Sequence, residues 1–240
     1  MHFHLPKPVH GWRAFIGEVG IIVVGVLIAL AAEQLVERWQ WQNKVADTTD
    51  QLDAELHRDA VSAYDWLVVA PCVDQQLKAI DAALVSARQT GQLQPTPALT
   101  PPLDVFTEDA WLNARALQVA DHLPPEKVTR YSQLFFLPHD LGGSVPELHK
   151  EAAELDPVSK GFSRISTDEI GAYQRQAGRV HELVDRVELG DTLLLAELGN
   201  EGIKPTAAEM DGKLKADRSW AGACARRPDP QRQFSPGDLD

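Results

Sequence analysis

The chain has 240 residues, 44% apolar and 24% charged, which is the composition of a globular protein rather than of a disordered or collagenous one. Its formal net charge is −12, and it contains no basic run and no aromatic-basic module, which argues against nucleic acid as a partner. The acid excess lies beyond residue 34, where it reads as a solvated negative surface or as an attraction for a cationic partner.

Met1 to Trp12 contains Pro6, Pro8 and Gly11, and residues 1–13 are expected to form an irregular tail. Ala14 to Ala32 follows with Glu18 as its only ionisable side chain. As a helix this stretch reaches roughly 28 Å, close to the ~30 Å hydrocarbon thickness of a bilayer. Residues 14–34 are therefore predicted to be one transmembrane helix. Lys7, Arg13, His2, His4 and His10 precede it with no acid among them, and Glu33 and Glu37 follow it. That bias puts the tail in the cytoplasm and everything after the span on the far side.

Four residues are assigned to the membrane interface: Trp12, Arg13, Glu18 and Trp39. Tryptophan rings favour the headgroup layer. Glu18, one turn into the helix, either reaches headgroups and water or binds a partner. Gly17, Gly20, Gly25 and Ala29 would let a second helix approach closely. Two other readings compete with an uncleaved span. Ala29-Leu30-Ala31 has the small-x-small pattern of a signal-peptide cleavage site, and an apolar helix can also be the buried core of a soluble protein.

From Gln34 to Ala70 there is no proline or glycine, and Leu52, Leu56, Ala60, Ala63 and Leu67 recur at helical spacing. This predicts a long amphipathic helix continuous with the span, kinked or ended by Pro71. A second helix is expected over Cys72 to Ala87, then an extended proline-rich connector from Gln92 to Leu103. A third should run from Thr107, a candidate cap, to about Val119. A fourth should start at Pro125 and end near Pro138, with a short helix from Pro146 to Leu155 and a turn from Pro157 to Phe162. Ser166 and Glu169 have capping-box spacing. They open a helix that Ile170, Tyr173, Ala177, Val180, Val184, Val187, Leu194 and Leu198 carry to Gly199, with Gly190 a possible irregularity. A short helix after Pro205 through Leu214 and a loose tail from Arg226 complete the chain. The fold class is all-α, with antiparallel packing of the helices as the economical way to hide these stripes. The domain reads as residues 35–204, with residues 205–240 as a C-terminal segment docked in part through Cys224.

No glycine-rich phosphate loop, Gly-x-Ser-x-Gly elbow or His-Glu-x-x-His pair is present, and the sequence names no catalytic residue, metal ligand or cofactor. His57, His122, His139, His149 and His181 are scattered without metal-ligand spacing. Glu151, Glu154 and Asp156 read as a solvated helix face, or as carboxylates sharing a proton or a cation. Trp66 and Trp111 sit on apolar stripes and line either a core or a pocket. Trp220, near Cys224, is placed to help dock the C-terminus.

His4-x-Pro6-x-Pro8-x-His10-Gly11-Trp12-Arg13-x-Phe15-x-Gly17-Glu18, then Ile21 to Val23, Gly25 to Leu30 and Glu33-Gln34, resembles the opening of an uncharacterised family of single-pass, membrane-anchored helical proteins of Gram-negative bacteria. The resemblance is strongest over residues 4–41. It implies an inner-membrane anchor with the N-terminus cytoplasmic and a periplasmic helical domain, and it brings no activity. Two functions follow as expectations: a noncatalytic accessory module binding an envelope protein or a second copy of itself, or a periplasmic enzyme or small-ligand sensor. A pocket with convergent polar groups would favour the second, and a filled core with an exposed apolar groove the first. The chain's two cysteines, Cys72 and Cys224, are expected to form a disulfide, because this topology places both in an oxidising compartment.

Overall fold

The computed structural model describes residues 12–228, apart from the side chains of Arg13 and Ala14. The expected tail up to Gly11 with His2 and His4, the interface role of Arg13, and residues 229–240 of the expected C-terminal tail lie outside the described residues. Every regular element among those described is helical, and the only β-type pairing there is an isolated bridge between Leu93 and Phe162.

Helix α1 (Trp12–Thr90) is 79 residues long, roughly 120 Å at 1.5 Å per residue. The helix does not end at Pro71, one of the two outcomes expected there, and the two expected helices are one. A proline removes one helical N–H and crowds the preceding turn, but here the turn is held from outside. Val68, Val69, Ala70, Cys72 and Val73 around it are all buried. The Arg226 N–H donates to the Val68 carbonyl at 3.1 Å. Cys72 and Cys224 bring their sulfurs to disulfide distance, 2.07 Å, as expected from the sequence.

The lower part of α1 has no neighbour. None of the apolar stretch near its N-terminus is buried, and α1 is the one helix among those described that is long and apolar enough to cross a membrane. The alternative of a buried core helix therefore has no described part of the chain to cover it. From Leu52 upward the same helix is core: Leu52, Leu56, Leu77 and Leu84 are fully buried.

Helix α2 (Asp109–Ala116) is shorter than expected and begins after Glu108, not at Thr107. Its start is set by Glu55 of α1, described below, and Gln118 in the left-handed region at φ 58° follows its end. After a single 3-10 turn (Ala120–His122), helix α3 (Pro125–Leu134) starts with a proline in its first turn, as expected. Helix α4 (Phe136–Ala153) then runs through both prolines taken as boundaries. Pro138 falls in its first turn, where the missing N–H has no intrahelical partner anyway. Pro146 is carried along by the buried stripe Leu141, Val145, Leu148.

The expected turn at Pro157 is instead the short helix α5 (Asp156–Lys160), closed by Gly161 at φ 70°. A Cβ on Gly161 would stand 2.6 Å from the Leu93 carbonyl oxygen, so glycine is what lets the connector bridge to Phe162. Helix α6 (Thr167–Asn200) opens with the Ser166–Glu169 capping box. It passes straight through Gly190, which is not an irregularity: a Cβ there would lie 2.8 Å from Leu141 Cδ2, so the missing side chain admits α4. Helix α7 (Ala207–Trp220) has its own capping box, Thr206 with Glu209, and runs six residues beyond Leu214, the end expected for it. Helices α6 and α7 both pack on α1, and α4 packs on α6.

Candidate functional site

The described residues offer three places where chemistry or recognition could reside, and each is built by a different part of the fold. The first is the stem of α1 between the exposed apolar stretch and the core. Trp39 at its foot is 63% exposed, and Trp12 before the apolar stretch and Glu18 within it are exposed as well. Higher up, Arg38, Trp41, Gln42 and Val45 face His122 across a notch of about 290 Å3. The imidazole of His122 stacks on the Trp41 indole with centroids 3.7 Å apart, and Lys44 Nζ lies 4.6 Å from the same ring.

The second is an open depression of about 630 Å3 between α3, α4 and α6. Leu134, Phe136, Leu137 and Leu193 supply its apolar lining, with Arg130 and Glu201 among its polar residues. Phe136 is 67% exposed and Leu193 46%. Arg130 Nη2 is 2.6 Å from Glu201 Oε2, which leaves Glu197 as the unpaired charge in the lining among the described residues.

The third is a set of acids inside the domain. Lys213 of α7 donates to Asp65 of α1 at 2.6 Å, and Asp217 of α7, Asp104 of the connector and Asp191 of α6 interact with this pair or with one another. Loss of water raises Asp104 to about 8, with the charge of Asp65 adding to it. Burial, then the shared hydrogen bond with Asp65, raises Asp217 to about 6. Asp191, fully buried, is pushed well above the usual carboxylate range by burial and then by Asp104 and Glu188. For Lys213, burial works against the charge, but the Asp65 hydrogen bond and the surrounding acids outweigh it and raise its pKa. As carboxylates, Asp104 and Asp217 each leave an oxygen without a donor, whereas protonated they donate to Asp65. Asp59, raised to about 7 chiefly by burial, accepts from the Thr107 N–H at 3.4 Å.

This set can hold protons, and it ties α1, the connector, α6 and α7 together. None of its members lines either depression described above. No group of three or more His, Cys, Asp or Glu among the described residues is placed to hold a metal ion.

The remaining candidates are accounted for singly. His57, His139 and His181 pair with Glu209, Glu108 and Asp81, and His149 with the Pro102 carbonyl, four separate contacts. Glu151 accepts from Gln176 and Arg179, which lowers its pKa, so its helix face is ion-paired at the surface. Trp66 and Trp111 are buried in the core, Trp111 stacked 6.3 Å from Phe135. Trp220, expected to dock the C-terminus, is instead 52% exposed and donates only to Asp217; docking falls to Cys224 and to Ala225, which is fully buried. No protein-family model, curated protein or solved structure matches this chain.

The buried acids went unread in the sequence although a signal was there. Glu55 and Asp59 fall within the apolar stripe of α1, beside Leu56 and Ala60, and Asp191 lies between Val187 and Leu194 on that of α6. An acid on a core face needs a partner or a proton.

Proposed function

We propose that the chain is a single-span protein of the bacterial inner membrane, N-terminus in the cytoplasm, whose helices form an antiparallel bundle in the periplasm and serve as a noncatalytic accessory to another envelope protein. The observation that carries this reading is the open depression around the exposed apolar side chains Phe136 and Leu193, on a domain with an extensive buried apolar core. Further support comes from α1, which continues unbroken from an uncovered apolar stretch into the core, and from the cysteine pair, which suits an oxidising compartment. The resemblance of residues 4–41 to an uncharacterised family of membrane-anchored proteins points the same way. The reading as an enzyme or sensor needs the proton-holding acids to line a cavity, and neither described depression contains one.

The occupant that fits the depression is a polypeptide segment offering an apolar side chain beside a basic one. The lining offers the apolar side chains of Leu134, Phe136, Leu137 and Leu193 beside polar ones, its unpaired charge is Glu197, and the whole chain is acidic. A photoreactive residue in place of Leu193, in the full chain in native membranes, should crosslink a different envelope polypeptide at an apolar-basic segment. Phe136→Asp, at a side chain already exposed, should abolish the adduct. An adduct of twice the chain's mass would replace that partner by a second copy, and an adduct indifferent to Phe136→Asp, or none, would remove the depression as a docking surface.

A further inference from the structure

The notch at the foot of the domain has a composition and a height that the accessory role does not use. Counting from Phe15, ~30 Å of hydrocarbon takes about 20 residues and ends near Leu35. Leu35, Val36 and Trp39 are exposed there, at 69%, 54% and 63%. Arg38 then stands about 5 Å beyond the boundary, within a headgroup layer roughly 5–8 Å deep, and Gln42 about 10 Å beyond it, just outside that layer.

At that height the domain overhangs α1 through the turn that carries His122, and the overhang forms the notch. Arg38 is exposed, and among the described residues it has no acid partner and no hydrogen bond. Its guanidinium is a planar donor matched to phosphate oxygens. The Gln42 carboxamide adds donors beside it, and Lys44 places a second cation on the far side of the Trp41 ring. The stack with His122 holds that indole in place just above the headgroup layer, about 9 Å beyond the boundary. Of the acids near these residues in sequence, Glu37 and Glu33 lie roughly 90° and 130° round the helix from the centre of this stripe, and neither they nor Asp121, beside His122, lines the notch. In a chain of net charge −12, a free arginine and a lysine gathered around one indole mark a place for an anion.

We infer that the Arg38–Trp41–Gln42–His122 notch binds the phosphate of a phospholipid headgroup in the leaflet on the domain's side, clamping the foot of the domain to the bilayer. The inference rests on the membrane-anchored reading above. Inorganic phosphate shares the chemistry but lacks the acyl chains that keep a lipid phosphate at this height beside an exposed apolar helix.

The test uses the full chain, first in membranes and then in detergent with phosphatidylglycerol, with retained lipid counted by native mass spectrometry. Carbonate extraction should leave wild type and every variant in the membrane; release of wild type would overturn the anchored reading together with the notch. With all of them embedded, wild type and Arg88→Glu, a control at the distant end of α1, should retain one lipid with equal affinity. Arg38→Glu should weaken retention by roughly tenfold or more, and Arg38→Lys by less. Equal retention by wild type and Arg38→Glu would overturn the notch alone, as would an equal loss in Arg88→Glu, which would mark a bulk charge effect. Displacement of the lipid by millimolar inorganic phosphate would overturn the lipid as its occupant. Arg38 is exposed and lies below the core, and unchanged circular dichroism melts of the variants would show that folding is not what changed.

Discussion

Glu55 of α1 caps the helix that begins at Asp109: its Oε1 accepts the Asp109 N–H at 2.9 Å and its Oε2 the Ala110 N–H at 2.6 Å, and the Thr107 hydroxyl also donates to it. A helix start leaves N–H groups unpaired, and α2 has no local side-chain cap. A carboxylate from the core helix does that work across more than fifty residues, placing negative charge at the positive end of the helix dipole and fixing where the connector returns to the domain.

Removing that carboxylate should cost more than an ordinary cap. Glu55 is 1% exposed, so Glu55→Ala strands donors in a buried site, and a loss of about 2–4 kcal/mol is expected. Glu55→Gln keeps an acceptor and should lose about half as much. Chemical denaturation of the full chain in detergent checks both, and a Glu55→Ala midpoint within error of wild type would show that α2 does not depend on the cap.

The acids set the pH dependence of folding. Asp217, Asp59 and Asp104 have folded pKa values of about 6, 7 and 8 against an ordinary 3.8, and Asp191 is also raised. Between the ordinary and the raised values the folded state binds more protons than the unfolded one, so stability falls as pH rises through that interval. Glu209, held near 2 by hydrogen bonds from Thr206, acts in the opposite sense, but only below about pH 4. The melting temperature should therefore decline from pH 5 to pH 8. Asp104→Asn, which mimics the protonated form, should match wild type at pH 5 and exceed it at pH 8.5. Parallel pH profiles for the two proteins would show that Asp104 does not titrate in this range.

What the sequence made legible was local. The stripe from Leu52 to Leu84, the Ser166 capping box and Pro125 in a first turn each depend on residues within a few turns of one another, and each is realised in the structure. The misreadings at Pro71 and Pro146 share one cause, a proline's local cost set against no tertiary contact, whereas Pro138 falls in the first turn of a new helix, where that cost vanishes. At Pro71 that contact is the C-terminal segment arriving from residue 226. Thr107 went wrong the same way, since its competitor for the α2 terminus was 52 residues distant. The depression joins residues 130–137 to 193–201, and the notch joins α1 to His122. No periodicity in one segment announces either.

The Cys72–Cys224 pair should be a structural tether. Its Cα atoms are 5.1 Å apart across a separation of 152 residues. Chain entropy sets a nominal gain of roughly 5 kcal/mol for so long a loop, of which about 2–4 is usually realised. Denatured protein without reductant should offer no free thiol to a maleimide, and Cys224→Ser should lower stability by that amount. It should also speed amide exchange at Arg226, whose N–H is held to Val68 only while the segment is docked. Two labelled thiols per chain would contradict both the tether and the oxidising compartment.

The topology is the premise on which docking and lipid binding both stand, and it can be decided directly. The residues before the span are basic and Glu33 and Glu37 follow it, and that charge bias is the ground for the proposed orientation. The competing reading is cleavage after Ala31, yet Ala29-Leu30-Ala31 lies inside an unbroken helix that continues to Thr90, and a signal peptidase needs extended chain. Fusions placed after Gly91, just past the end of α1, should therefore be active as alkaline phosphatase and silent as a cytoplasmic reporter. Intact mass of the full chain should show the segment before Ala32 retained. The inverse reporter pattern would turn the molecule over and place the cysteines in a reducing compartment. A mature chain beginning at Ala32 would instead free the domain from the membrane, leaving Leu35, Val36 and Trp39 exposed to water with nothing to cover them.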